Sequence, residues 1–442
     1  MQKILNKINS IQVKFISSAC ILTSTQDVVI LHDPWFTDGA FDGSWFTFPK
    51  IKKPINLIGN CDYIYISHIH ADHFDPYFLK SYFKKYGVKI ILIANFQNNY
   101  LEKALKKNGF KYEILTNKFI IGRTQISIFP FITDTHSIID IDSFIIIDFD
   151  YNSETHRVVN LNDCNTLLPS NIISILSEKK IDILLTSYTD ASSYPQCYFD
   201  INDPILLKEK IKRKKIYLKN FKNIVEKLKP QITIPFAGEY ILGGKLSKLN
   251  SYRATSDAIE AKKCIDNGIV LNAGGYVYTK NNIVFNERTK KFTNSQYELR
   301  INEIKNKKMP YDNFIKDIDL NKIPMEKLLY IASKNITLKS EINFDYFYKF
   351  ITNDLEFIVN INNKSGSGNI SKINDIPLTE IFLSTNLLFG LLIGRFNWNN
   401  IMLVASHLKI RRTPNYASLG QKSPYSTDIN RKIADSLNFF II

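Results

Sequence analysis

The stretch YIYISHIHADHFDP, Tyr63 to Pro76, decides how this chain is read. Its first four residues are an alternating aromatic and β-branched run that predicts a strand, and from Phe74 the pattern becomes helical. Between them, three of the seven histidines and two aspartates fall within the eight positions His68 to Asp75. Imidazole and carboxylate are donors that divalent transition metals select, and H-x-H-x-D-H on a strand-to-helix turn can aim alternate residues at two neighbouring ions. The stretch therefore predicts a metal site.

Outward from the turn, residues 11 to 33 read as short strands that end in His32-Asp33-Pro34-Trp35, followed by an aromatic, Gly- and Asp-rich loop from Phe36 to Pro54. Downstream, strands are expected at 90–93, 126–131, 181–186 and 232–235, and helices at 97–107, 171–177 and 204–228. Residues 144–149 and 157–161 form a hairpin by pattern. Such alternation predicts an α/β layered core. Polarity rises through RTKKFTNSQYELRINEIKNKKMP at 288–310, read as a linker. At 442 residues the chain exceeds one ordinary core, so two domains are expected: a catalytic metal-binding domain over 1–290 and a C-terminal α+β domain over 310–442, a substrate-binding or lid region. Within the latter, 364–369 is turn-like and flexible by composition.

Composition narrows the partners. No apolar run reaches the roughly 18 residues that span a bilayer, so no membrane partner is expected. The net charge of +15 comes from lysine spread along the whole chain, and even Lys212-Arg213-Lys214-Lys215 falls in an expected helix as a solvated face. That excludes a nucleic-acid partner and leaves a preference for anionic small molecules. The five cysteines are scattered, with no C-x-x-C pair, which fits free thiols in a reducing cytoplasm. Ile11, Val13 and Phe15 read as a hairpin rather than an export signal.

A binuclear site needs more donors than one turn supplies. His136 follows the 126–131 strand, and Asp163 ends a strand in VVNLNDC, where the two oxygens of a carboxylate can each face one ion. With these residues the chain resembles the metallo-β-lactamase superfamily over roughly 11–290, through Asp33-Pro34-Trp35, S-H-I-H-A-D-H, His136 and Asp163. The resemblance implies an αββα sandwich with the metal site at one edge. It also implies His68, His70 and His136 on one metal, Asp72 and His73 on the second, and Asp163 bridging. Many hydrolases of the superfamily close the second metal with a late histidine; Glu239, in P-F-A-G-E, is the substitute candidate here.

Within that superfamily, L-N-D-C at 161–164, T-D-A-S-S-Y-P at 189–195, P-F-A-G-E at 235–239, R-F-N-W-N-N at 395–400 and R-R-T-P-N-Y at 411–416 are similar to CMP-N-acetylneuraminate hydroxylases. The resemblance implies an iron-dependent oxygenase that hydroxylates an acyl group on a nucleotide-linked sugar, with Ser192, Ser193 and Tyr194 lining the substrate pocket. Arg395, Arg411 and Arg412 are candidates for a phosphate or carboxylate. The sequence contains no C-x-H or C-x-x-H, so an external electron donor is implied. Two divalent ions are expected, iron first, with zinc or manganese also suited to histidine and carboxylate. The alternative is a binuclear hydrolase of phosphodiesters, lactones or amides, with Asp72 or Asp163 transferring protons. His32 and His407 are expected to be packed, and His156 to sit on an exposed hairpin.

Overall fold

The computed structural model describes residues 9–132, 142–164, 168–316, 318–363, 377–415 and 426–442. His136 and the 364–369 turn lie outside the described residues. In chain order the strands begin with β1 (Gln12–Ser17), β2 (Cys20–Ser24), β3 (Val29–His32) and β4 (Trp45–Thr47). Next come β5 (Tyr63–Tyr65), β6 (Ile90–Ala94), β7 (Tyr112–Leu115), β8 (Phe119–Ile121) and β9 (Thr124–Pro130). The hairpin is β10 (Ser143–Tyr151) and β11 (Glu154–Asn160), followed by β12 (Ile183–Ser187) and β13 (Ile232–Phe236). Then come β14 (Tyr240–Leu242), β15 (Leu271–Tyr278), β16 (Val284–Glu287), β17 (Phe347–Ile351), β18 (Glu356–Asn360), β19 (Leu378–Phe382) and β20 (Lys409–Thr413).

One sheet runs β16-β15-β1-β2-β3-β5-β6-β7 and the other β13-β12-β11-β10-β9-β8. They face each other across a core that includes Ile30, Tyr65 and Leu92 from the first sheet and Ile145, Ile147, Ile183 and Leu185 from the second. Because side chains alternate along a strand, Ile146 and Leu184 point the other way, onto Leu176, Phe221 and Ile224 of the covering helices. On the opposite side, Ile64 and Ile91 pack against Leu79, Tyr82, Leu101 and Leu105. This is the αββα sandwich expected for the metallo-β-lactamase fold, and burial on both faces explains why its strands read as continuous apolar runs.

Parallel pairing of β3, β5 and β6 in one sheet, and of β11, β12 and β13 in the other, sends their C-terminal ends into shared loops. Those loops carry the histidine turn after β5, Asp163 after β11, residues 188–195 after β12 and Glu239 after β13. The four-stranded sheet β18-β17-β19-β20 belongs to the C-terminal region, and β14 pairs with β4 as a separate ribbon.

Two expectations need correction. The polar stretch 288–310 is not a bare linker: Asn294–Ile304 is helical, started by a reciprocal capping box between Thr293 and Gln296. Its Arg300 is buried against Asp38, with both carboxylate oxygens at 2.6 Å. His156 is buried rather than exposed: it pairs with Phe149 of β10, whose side chain lies in the core between the sheets, so strand alternation turns it to that face.

Candidate metal centre

The centre is built backward from Asp33. This residue follows β3, is wholly buried, and adopts a left-handed backbone (φ 39°), which aspartate tolerates better than bulkier residues. The Ser67 amide donates to its Oδ1 at 2.8 Å and the Ser67 hydroxyl to its Oδ2 at 2.7 Å. The same Oδ2 lies 2.9 Å from His73 Nδ1. Since Asp33 can only accept, His73 Nδ1 carries the proton and Nε2 is left as a donor atom for a metal. Ser67 Oγ, having given its hydrogen to Asp33, accepts from His68 Nδ1 at 2.9 Å. His68 therefore also presents Nε2, and that lone pair takes the Nδ1 hydrogen of His70 at 2.8 Å.

The carboxylates face these imidazole nitrogens. Asp163 Oδ2 lies 3.4 Å from His73 Nε2 and 4.0 Å from His68 Nε2, so one oxygen stands between the two imidazoles. Asp72 Oδ2 is 3.6 Å from His73 Nε2, and Asp142 Oδ1 is 3.6 Å from His68 Nε2. Donors that share an ion at about 2.1 Å each are separated by roughly 3 to 4 Å. Among the described residues, His68, His73 and Asp163 bring their donor atoms within 4.8 Å of one another. Asn162 aims Asp163: it takes a left-handed backbone (φ 48°), and its amide nitrogen holds Tyr65 Oη and the Ser143 carbonyl, each at 3.2 Å.

Charge in this pocket is held in balance. Burial opposes a proton on His73, but Asp72, Asp163 and Asp33 outweigh it and raise its pKa well above the usual imidazole value. Burial lifts Asp72 to about 6, and the neighbouring Asp163 adds to the rise against the pull of His73. Asp163 resists burial and stays below the ordinary carboxylate range because His73 faces it. His70, desolvated, falls to about 4. Imidazole nitrogens of His68 and His73 and carboxylates aimed at one space, without a thiolate, are a donor set that fits divalent iron, zinc or manganese once an ion displaces the proton that the carboxylates favour on His73.

The other sequence candidates lie in different settings. Glu239 pairs with Arg288, which also holds Asp257 at 3.0 Å, and burial pushes its carboxyl up to about 7. Ser193 donates to the Met402 carbonyl at 2.7 Å, Ser192 to the Tyr194 carbonyl at 3.2 Å, and Tyr194 to Glu209 at 2.7 Å. These bonds fasten the 188–195 loop. Arg395 is exposed and Arg411 reaches Asp200 at 3.2 Å, while Arg412 stacks on Tyr198. Asp33, Ser67 and Asp142 are the residues that motif reading missed as parts of the site. His32 is packed, with Thr23 at 2.9 Å and Asn160 at 3.3 Å from its ring nitrogens.

Fold and donor cluster together define a metal-site sandwich of the metallo-β-lactamase type. No protein-family model matches the sequence. The chain is 30% identical over 196 residues to a candidate Rieske 2Fe-2S iron-sulfur protein of Mycobacterium tuberculosis, a match that covers 42% of this chain and 36% of that one. It is 25% identical over 251 residues to the cytidine monophosphate-N-acetylneuraminic acid hydroxylase of Danio rerio, covering 52% of this chain and 38% of the relative. Each match thus spans little more than a third of the relative's length. Among solved structures, an isothiocyanate hydrolase from Delia radicum gut bacteria superposes with a TM-score of 0.41 at 14% identity, covering 62% of this chain and 100% of that one. CmlA, a diiron β-hydroxylase from Streptomyces venezuelae, gives 0.39 at 14% identity, covering 61% of this chain and 54% of that one.

Proposed function

We propose that this protein is a metal-dependent enzyme that hydroxylates an anionic small molecule, such as a nucleotide-linked sugar, with two divalent ions, iron first, held by His68, His70, Asp72, His73 and Asp163. The observation that carries the proposal is the position of Asp163 Oδ2 between His68 Nε2 and His73 Nε2. His136 is a further proposed donor, as is Asp142, whose carboxylate faces His68. Iron held there would supply redox chemistry with dioxygen that side chains alone lack. The hydroxylase from Danio rerio, by its name, supports the substrate class, and the mycobacterial relative's name supports an iron–sulfur electron source.

Within this reading the protein's own residues have separate tasks. Asp33 fixes the tautomer of His73, and through Ser67 that of His68. Asp72, with a carboxyl lifted toward neutrality, is placed to hold or release a proton at the pocket. The proposed electron donor is an iron–sulfur module outside these 442 residues, since no cysteine here has a histidine two or three positions after it. All five cysteines are free thiols in the structure, in keeping with the proposed reducing cytoplasmic setting. Among the described residues, no helix is long and apolar enough to cross a membrane.

The test is elemental analysis of chelator-free protein from iron-supplemented cells, with its visible spectrum and reductant-dependent oxygen uptake. About two irons per chain, colour and oxygen uptake are expected. Colourless protein loaded with zinc or manganese, with no oxygen uptake, would replace the oxygenase by a metal hydrolase and direct substrate screening to phosphodiesters, lactones and amides.

A further inference from the structure

Four arginines among the described residues are buried, and three of them face carboxylates. Arg157 meets both oxygens of Asp148 at 2.7 and 2.8 Å, Arg288 pairs with Glu239 and Asp257, and Arg300 meets both oxygens of Asp38. Arg253 is only 5% exposed, yet its guanidinium makes no ion pair among the described residues. Its Nη1 donates to the Tyr240 carbonyl at 2.8 Å and to Asn250 Oδ1 at 3.2 Å, while Nε and Nη2 have no acceptor. A guanidinium keeps its charge at any pH a protein meets, and an uncompensated buried charge is strongly unfavourable. The two idle donors form the fork that takes a carboxylate or phosphate bidentately.

The location of this fork matters. Arg253 stacks on Tyr240 with its guanidinium carbon 3.7 Å from the ring centre, and Trp45 stacks on the opposite face at 3.4 Å. Trp45 contacts Phe41 at 4.7 Å between ring centres, and Phe41 contacts His70 at 5.8 Å. Ring contacts thus form a buried aromatic wall from His70 through Phe41 to Trp45 and Tyr240, the two residues held by the β4–β14 ribbon, and on to the unpaired guanidinium. Trp45 Nε1 on the wall and Ser256 Oγ, three residues after Arg253 in sequence, are also buried and have no hydrogen-bond partner among the described residues.

We propose that Arg253 binds an oxyanion of the substrate, carboxylate or phosphate, through its Nε–Nη2 edge, at the end of the aromatic wall that starts at His70. The proposal rests on the reading of the histidine cluster as the reaction centre, and it assigns anion recognition to a residue other than Arg395, Arg411 and Arg412. A buried guanidinium discriminates between charged groups far more strongly than those at the surface, where water screens them.

The test titrates the metal-loaded full chain with inorganic phosphate and with acetate, by calorimetry and by the rise in Tm that each anion causes. Saturable binding to one site is expected, and the anion that binds tighter identifies the headgroup class. Arg253→Met should weaken it by about tenfold or more and abolish the anion-dependent rise in Tm at unchanged metal content. Arg253→Lys, which keeps the charge without the fork and guards against a folding defect, should lose most of the same rise. The proposal is overturned if wild type binds neither anion, or if both variants respond to anions as wild type does. Should the protein carry no metal while Arg253→Met still loses anion binding, the metal reading fails and the anion site stands.

Discussion

Replacing Asp33 by asparagine removes the charge that faces the Nδ1 hydrogen of His73 and the Ser67 hydroxyl, at nearly constant volume. The amide brings a donor to a place that already has two, so the His73 tautomer reverses and Nε2 gains the hydrogen. Loss of such an orienting carboxylate weakens metal binding by about 10- to 100-fold. A competition titration against a chromophoric chelator measures this; an unchanged affinity would remove Asp33 from the site. His32 gives a pH prediction away from the donors. Burial lowers its pKa to about 3, so the folded state holds it neutral while the unfolded chain binds a proton near the ordinary value. Stability from this group is therefore complete above about pH 6.5 and declines as pH falls toward 3. Denaturant titrations of metal-free protein between pH 4 and 7.5 should show that decline, and His32→Gln should make it shallower, the rest coming from other buried imidazoles such as His70 and His407, each lowered to about 4. At this scale the sequence revealed what was local. The turn histidines are close in the chain, whereas Asp33 lies 40 positions from the imidazole it holds, and Arg253 differs from other arginines only in what surrounds it.

At the scale of elements, the sandwich was readable because strands buried on both faces leave unbroken apolar runs, as in Phe144 to Ile147 and Ile183 to Leu185. The stretch 288–310 was misread because its helix contributes few apolar residues. Only Arg300 and Ile304 of that helix are buried, and much of its attachment is ionic. The available signal was T-x-x-Q at 293–296, a capping box that outweighs mean polarity. Two substitutions rank these effects. Thr293→Ala removes an exposed cap and should cost about 1 kcal/mol. Arg300→Met leaves the partly shielded Asp38 carboxylate without its bidentate partner and should cost more, about 2 to 3 kcal/mol after allowance for solvent near Asp38. Denaturant unfolding of both variants gives the order; equal costs would show that the ion pair contributes no more than the cap.

At the scale of the whole molecule, the question is whether residues 310–442 unfold separately from the sandwich. One buried cluster joins Trp35, Phe41, Trp45, Tyr240, Leu242 and Leu246 with Tyr348, Phe350, Leu388, Trp398 and Ile410. Polar contacts cross the same seam: His407 Nε2 donates to the Phe41 carbonyl at 3.2 Å, the Ser193 amide to the Leu403 carbonyl at 2.8 Å, and the Ile410 amide to the Cys197 carbonyl at 2.7 Å. A fully buried large apolar side chain contributes roughly 1.5 to 3 kcal/mol. Half a dozen of them on the sandwich side of one seam amount to about 9 to 18 kcal/mol, as much as the usual net stability of a domain, about 5 to 15 kcal/mol. Separation would therefore be uphill at every temperature at which the sandwich is folded. Scanning calorimetry of the full chain should give a single cooperative transition, and a fragment ending at Lys305 should aggregate or lose tight metal binding, because Phe41, which contacts His70, and Trp45, which packs on Phe41, would face water. Two resolved transitions, or a soluble fragment with wild-type metal affinity, would establish that the C-terminal region is an independent appendage and that the metal centre needs no support from it.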